Sequence, residues 1–156
     1  MSVYLDYQSA KPVDLRVVDA MIPYLYDRFG NPSSLHKVGD DATAVLDAGR
    51  QAVAGFIGAE TDEIIFTSGA TESNNLGITG YAMRNKSKGN QVIISEVEHI
   101  SIHNIAKHLE KAGFVVSKMP VDQYGRISVQ KLADRVTDET ILISIGCASS
   151  EIGTIQ

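Results

Sequence analysis

Apolar residues change their spacing near residue 60. Before it they recur at helical intervals. Leu15, Val18, Ile22 and Leu25 share one face, with Asp14 placed as an N-cap and Pro23 late in the pattern, where a proline kinks or ends a helix. Val38, Ala42, Val45, Leu46, Val53, Phe56 and Ile57 share a second face, and Gly58 stands just past its end. Phe29-Gly30-Asn31-Pro32-Ser33-Ser34 reads as a loop between them. Val3-Tyr4-Leu5-Asp6-Tyr7 reads as a short strand ended by Pro12.

After residue 60 short continuous apolar runs take over: Ile64 to Thr67, Val92 to Ile94, Phe114 to Val116 and Ile141 to Ile145. Such runs suit strands buried on both faces. Helical stretches separate them: Leu76 to Met83, Ile102 to Leu109 with Gly113 closing it, and Ser128 to Val136. Strands alternating with helices predict an α/β fold with a mainly parallel sheet. The polar patch Arg84 to Asn90 reads as a solvated loop. The chain stops soon after the last strand, in the kind of loop that carries chemistry in open α/β sheets. This predicts a part of a larger unit.

Composition narrows the class. Fourteen basic residues against nineteen acidic ones give a net charge of −5, which argues against nucleic acid as a partner. No apolar run reaches the roughly 18 residues of a membrane span, and the N-terminus lacks the basic and apolar regions of a signal peptide. With one cysteine, Cys147, an internal disulfide is impossible. The expected location is cytoplasmic.

Three segments follow predicted strands and carry candidate chemistry. In Phe66-Thr67-Ser68-Gly69-Ala70-Thr71-Glu72-Ser73-Asn74-Asn75, small residues lead from a strand into a helix. A helix start offers free N–H groups and a positive dipole end, and Ser68, Thr71 and Ser73 add hydroxyls. This suits a phosphate, although an ordinary N-cap at Thr71 explains the residues equally. The pattern is neither of the familiar nucleotide-binding glycine motifs, which favours a small phosphorylated cofactor. In Ser95-Glu96-Val97-Glu98-His99, His99 stands at a strand's carboxyl end, where it can stack on a ring or move a proton. A helix-start histidine bonded to Glu96 or Glu98 is the alternative. In Cys147-Ala148-Ser149-Ser150-Glu151 nothing marks a stabilised thiolate, so Cys147 is expected to be a small buried side chain. His103 and His108 do not form a metal-binding pair, and no metal is expected.

Together these stretches resemble the N-terminal part of class V aminotransferase-type enzymes, especially cysteine desulfurases of the NifS/IscS group. The resemblance rests on Tyr4-Leu5-Asp6-Tyr7, on Phe29 to Ser34 with His36 and Gly39, on Ile64 to Asn74, on Glu98-His99, and on Glu151 to Gln156. It implies a fold-type-I enzyme that uses pyridoxal 5'-phosphate (PLP). Ala70 and Thr71 would hold the cofactor phosphate, His99 would stack on the pyridine ring and could move a proton, and Ser150 would occupy the position that reaches the phenolic oxygen. Residues 1–14 would contribute to a small domain and the substrate entrance. Residues 15–156 would form the N-terminal part of the PLP-binding large domain.

Departures from the family pattern are also visible. Ser149-Ser150 stand where Asn-Asn is usual, Cys147 replaces a usual histidine, and Gln8-Ser9-Ala10-Lys11-Pro12 brings a cation near the substrate mouth. The family's cofactor-binding lysine, pyridine-pairing aspartate, carboxylate-binding arginine and nucleophilic cysteine would all lie beyond residue 156. Of the lysines present, Lys11 alone falls near the expected site. The resemblance therefore implies the N-terminal portion of an enzyme that moves sulfur from L-cysteine to an acceptor thiol and releases alanine, for iron–sulfur cluster assembly. Its partners would be a C-terminal half in the same or a second chain, a second copy in a homodimer, and an iron–sulfur scaffold protein. Alternatives are a catalytically degenerate relative that binds such a scaffold, and a selenocysteine lyase or other class V aminotransferase. In the resembled family, strand 64–67 lies across the sheet from strand 141–145, and later strands fill the gap.

Overall fold

Asp14 and Gly58 punctuate the first part of the chain as their chemistry requires. Asp14 caps helix α1 (Leu15–Tyr26) by accepting the Arg16 N–H at 2.9 Å. Its carboxylate is also held below its ordinary value by the Arg16 guanidinium, 2.7 Å away. Pro23 lies inside α1 without ending it: the helix runs three residues further, and the Pro23 carbonyl accepts the Asp27 and Arg28 N–H groups. Helix α2 (Lys37–Ile57) starts at His36, whose Nδ1 accepts from Gly39 N–H, and stops at Gly58, whose φ of 73° is left-handed.

These helices belong to the first of two compact units, which meet between Phe66 and Thr67 in the computed structural model; it describes residues 3–7 and 10–156. The loop from Gly30 to Ser34 folds tightly against the start of α2. A Cβ on Gly39 would stand 2.1 Å from the Ser34 carbonyl oxygen, and one on Gly30 would stand 2.4 Å from that of Val38. Asn31 turns the chain by accepting the Ser33 N–H, and Thr43 ties α2 to the Pro32 carbonyl.

Two expected strands are not formed. Residues 3–7 are irregular, and Gln8 and Ser9, which belong to the Lys11 segment, lie outside the described residues. Ile64 to Thr67 follows a 3₁₀ turn (Thr61–Glu63) without a ladder partner, and Ile65 and Phe66 are 66% and 50% exposed. An apolar run becomes a strand only when a neighbour satisfies its N–H and C=O groups, and none of the three described strands pairs with this one.

The second unit is an α/β layer. Strands β1 (Gln91–Ser95), β2 (Val115–Met119) and β3 (Thr140–Ser144) are all parallel, in the order β2-β1-β3. The central strand explains its sequence: Val92, Ile93 and Ile94 are all at most 1% exposed. Helix α5 (Ile100–Lys111) turns Ile102, Ile105, Ala106 and Leu109 onto this sheet, together with Ala82 and Phe114. Burying each large aliphatic side chain is worth about 1.5–3 kcal/mol. The helix before β1 begins at Ala70, ahead of the Leu76–Met83 apolar stretch. It runs as α3 (Ala70–Asn74), a π turn (Asn75–Thr79) and α4 (Gly80–Asn85). Helix α6 (Val129–Ala133) is shorter than the Ser128–Val136 pattern.

The polar patch after α4 does structural work that its composition hides. Lys86 Nζ donates to the Ala112 carbonyl at the end of α5 and stands 5.1 Å from the Phe114 ring centre. Gly89 is buried, and a Cβ there would stand 2.5 Å from the Glu139 carbonyl oxygen.

Candidate functional site

The cradle segment begins the second unit. Gly69 is the N-cap of α3, so Ala70 and Thr71 occupy its first two helical positions; Thr71 is not the cap. Their N–H groups lie where a helix has no acceptors of its own. Apart from its chain neighbours, no atom of the described residues lies within 4 Å of the point where a Cβ would stand on Gly69, which leaves that side of the backbone open.

The three hydroxyls do not act together. Ser68 donates its N–H and its hydroxyl to Glu72 Oε2, each at 2.6 Å. These bonds, the hydroxyl's first, hold the Glu72 carboxyl below its ordinary value. Ser73 Oγ lies 2.7 Å from Thr67 Oγ1 and donates to the Gly69 carbonyl. Thr71 Oγ1 makes no hydrogen bond among the described residues. The groups without a partner at this helix start, among the described residues, are the first-turn backbone N–H groups and the Thr71 hydroxyl.

His99 is the N-cap of α5, four residues beyond the last residue of the central strand. It is a helix-start histidine, but not through Glu96 or Glu98. Its Nδ1 accepts the Ser101 N–H at 3.2 Å and lies 2.8 Å from Ser101 Oγ. Glu98 acts elsewhere: Oε1 accepts from Ser95 Oγ at 2.7 Å and from Gly146 N–H at 2.8 Å, tying the carboxyl end of β1 to the segment after β3. Ser101 Oγ also receives Asn74 Nδ2 at 3.0 Å. This bond joins the end of α3 to the start of α5 and thereby the cradle helix to His99. The link between the two segments is thus a helix-to-helix hydrogen bond, with residues 64–67 unpaired in the sheet.

Ser150 is exposed in a tight turn after β3. The Ala148–Ile155 bridge, Ser149 N–H to Thr154 O at 2.8 Å and Gly153 N–H to Ser149 O at 2.9 Å close that turn, with Gly153 at φ 71°. Thr154 Oγ1 donates to the Tyr124 carbonyl, Gln156 Nε2 donates to Gly125 O at 2.7 Å, and Gln156 Oε1 accepts Ile127 N–H at 3.1 Å. A second turn, at Asp122–Arg126, thus holds the first in place. No hydrogen bond joins Ser150 to Thr71 or His99. Cys147 is exposed rather than buried, because the sheet ends at Ser144 and Cys147 lies in the hairpin stem, its carbonyl accepting Gln156 N–H.

Sequence reasoning missed the roles of Asn74 and Ser101, and it offered Glu98 as a partner of His99 rather than of Ser95 and Gly146. Only Ser101, two residues after a candidate cap, carried a local signal. The partners of Asn74 and Glu98 lie 27 and 48 residues away. A concavity of about 790 Å³ lined by Ala44, Asp47, Arg50 and Ile64 lies in the first unit and includes none of the candidate residues. Among the described residues no group of acidic, histidine and cysteine side chains could hold a metal ion, and no helix is long and apolar enough to cross a membrane.

A parallel sheet flanked by helices, with a helix start at Gly69 and a capping histidine beyond the carboxyl end of its central strand, is an α/β arrangement of the large-domain type found in PLP-dependent enzymes. Residues 3–156 match the model of the aminotransferase class-V family, and the chain belongs to that family. It is 50% identical over 153 residues to cysteine desulfurase IscS 1 of Archaeoglobus fulgidus, covering 98% of this chain and 40% of that protein. A solved NifS-like protein superposes with a TM-score of 0.94 at 36% identity, over 100% of this chain and 43% of that one. SspA, solved in complex with cysteine, superposes with a TM-score of 0.90 at 36% identity, over 99% of this chain and 45% of that one. The chain thus spans less than half the length of these relatives.

Proposed function

We propose that this chain is the N-terminal portion of a PLP-dependent cysteine desulfurase, which moves sulfur from L-cysteine to an acceptor thiol and releases alanine. The observation that carries the reading is a helix start joined through Asn74 and Ser101 to the cap histidine His99 in one hydrogen-bonded frame. The residues fit the cofactor: the Ala70 and Thr71 N–H groups suit its phosphate, the open side of Gly69 lets it approach, and His99 suits its ring. When bound, PLP supplies an electron sink for the substrate's Cα. The chain's own part is to bind and orient. Thr71 would donate its hydroxyl to the phosphate, and α3 would direct its positive end to the same group. His99 would cover one face of the ring and could hold a proton at Nε2. Ser150 occupies the phenolic-oxygen position, where a serine reaches less far than the usual asparagine.

Residues 1–14 belong to the small domain and entrance in this reading, and residues 15–156 to the large domain. The covalent groups come from the C-terminal half, the assembled unit is a cytoplasmic homodimer, and an iron–sulfur scaffold protein is the acceptor. The test is to give the complete protein, loaded with PLP, L-cysteine and a thiol acceptor. Alanine and transferred sulfur should appear in equal amounts, and His99→Ala should abolish both. A protein that binds PLP and forms no alanine contradicts the proposal. That result would favour a binding role without catalysis, the reading to which Ser149-Ser150 points.

A further inference from the structure

The chain of contacts from Asn74 through Ser101 to His99 has a fixed direction. The Ser101 backbone N–H can only donate, and it points at His99 Nδ1 from 3.2 Å. Nδ1 is therefore an acceptor and carries no proton, which places the ring's proton on Nε2. Ser101 Oγ, 2.8 Å from the same nitrogen, must then donate its own proton to it. Having spent its one donor, Ser101 Oγ can only accept from its other neighbour, and Asn74 must present its NH₂ group, at 3.0 Å. The backbone N–H gives the sense in which the chain runs, and the Ser101 hydroxyl, the shorter of the two contacts to Nδ1, supplies the closer hold on the ring. Ser101, the middle member, is buried at 5% exposed, while Asn74 is half-buried and His99 is exposed.

We infer that Asn74 and Ser101 are positioning residues that hold His99 in the Nε2–H tautomer with its ring in one orientation. The inference deepens the reading of His99 as the ring-stacking residue and rests on it. Without the Ser101 hydroxyl, the imidazole keeps only the longer backbone contact and is free to rotate or to exchange tautomers. Without the Asn74 amide as donor, the Ser101 hydroxyl has a choice of partner. Asn74→Asp is the sharpest case. It changes the shape little, but a carboxylate only accepts, so the Ser101 proton turns towards residue 74 and away from His99.

The test reads the ring itself, with no cofactor present, in the complete protein labelled with ring-¹⁵N histidine. Long-range ¹H–¹⁵N correlations should show His99 Nδ1 unprotonated and Nε2 protonated. Ser101→Ala and Asn74→Asp should move the Nδ1 signal towards the protonated position, and Ser101→Thr should restore the parent pattern. His36, which caps α2 in the first unit, and His103, on α5 in the second, should keep their signals in all variants and so report that both units are folded. A protonated Nδ1 in the parent overturns the inference. So do ring signals unchanged in both Ser101→Ala and Asn74→Asp while His36 and His103 stay native. The parent pattern in a protein that fails to bind PLP would overturn the proposed function and leave the relay standing.

Discussion

Thr71 carries the site's most isolated polar contribution, because its hydroxyl has no partner among the described residues while Ser68 and Ser73 are tied to neighbours. Thr71→Ala should weaken binding of the PLP phosphate by about 1 kcal/mol, the scale of one hydrogen bond. Ser73→Ala should not weaken phosphate binding directly. Cofactor titration of the complete protein checks both, and unchanged affinity in Thr71→Ala would refute the cradle. Asp122 makes a pH prediction. It accepts the Tyr124 and Arg126 N–H groups at 2.8 and 2.9 Å, and these bonds, Arg126's first, hold its carboxyl below the ordinary 3.8. With the folded value depressed, the carboxylate's support for the turn is complete above the unfolded value and is lost as pH falls through the folded one. The Tyr124 and Arg126 amide signals should titrate with a midpoint below 3.8; a midpoint at or above it would contradict this. At this scale the sequence told most where chemistry is local. Asp14 and Gly58 could be placed because a cap or a left-handed glycine acts within a few residues. His99 could be noticed, but not its partner's partner, Asn74, which is near only once two helices have packed.

Elements were legible where burial is complete. β1 shows as an apolar run because both its faces are covered, and α5 shows by the spacing of Ile102, Ile105 and Leu109. Ile64 to Thr67 has the same composition as a buried strand and is not one in this chain, since strand formation depends on a partner that spacing cannot reveal. The Arg84–Asn90 patch failed for the opposite reason: its polarity hid the close approach of Gly89 to Glu139. That approach leads into both β1 and β3, where Glu139 O also accepts Gln91 N–H at 2.8 Å. Gly89→Ala must push the backbones apart and should destabilise the complete protein by about 1–3 kcal/mol, the usual cost of overpacking. Urea unfolding checks this, and a variant as stable as the parent would show that the loop yields freely.

The sheet of the second unit has β1 at its centre and two edges, β2 and β3, each paired on one side only. Exposed edges and uncovered apolar side chains such as Phe56, 91% exposed, are features that folded chains usually cover. Residues 1–156 alone should therefore lack a cooperative monomeric unfolding transition. A urea slope of roughly 1–3 kcal/mol/M, typical of complete small domains, would contradict that. The most direct test of the central claim, that this chain supplies the cradle and the ring face but not the covalent anchor, is borohydride fixation of PLP followed by peptide mapping. The complete protein should carry one stoichiometric lysine adduct outside residues 1–156, and the 156-residue chain alone should carry none at a single site. A clean, stoichiometric adduct on any one lysine within residues 1–156 would contradict the account.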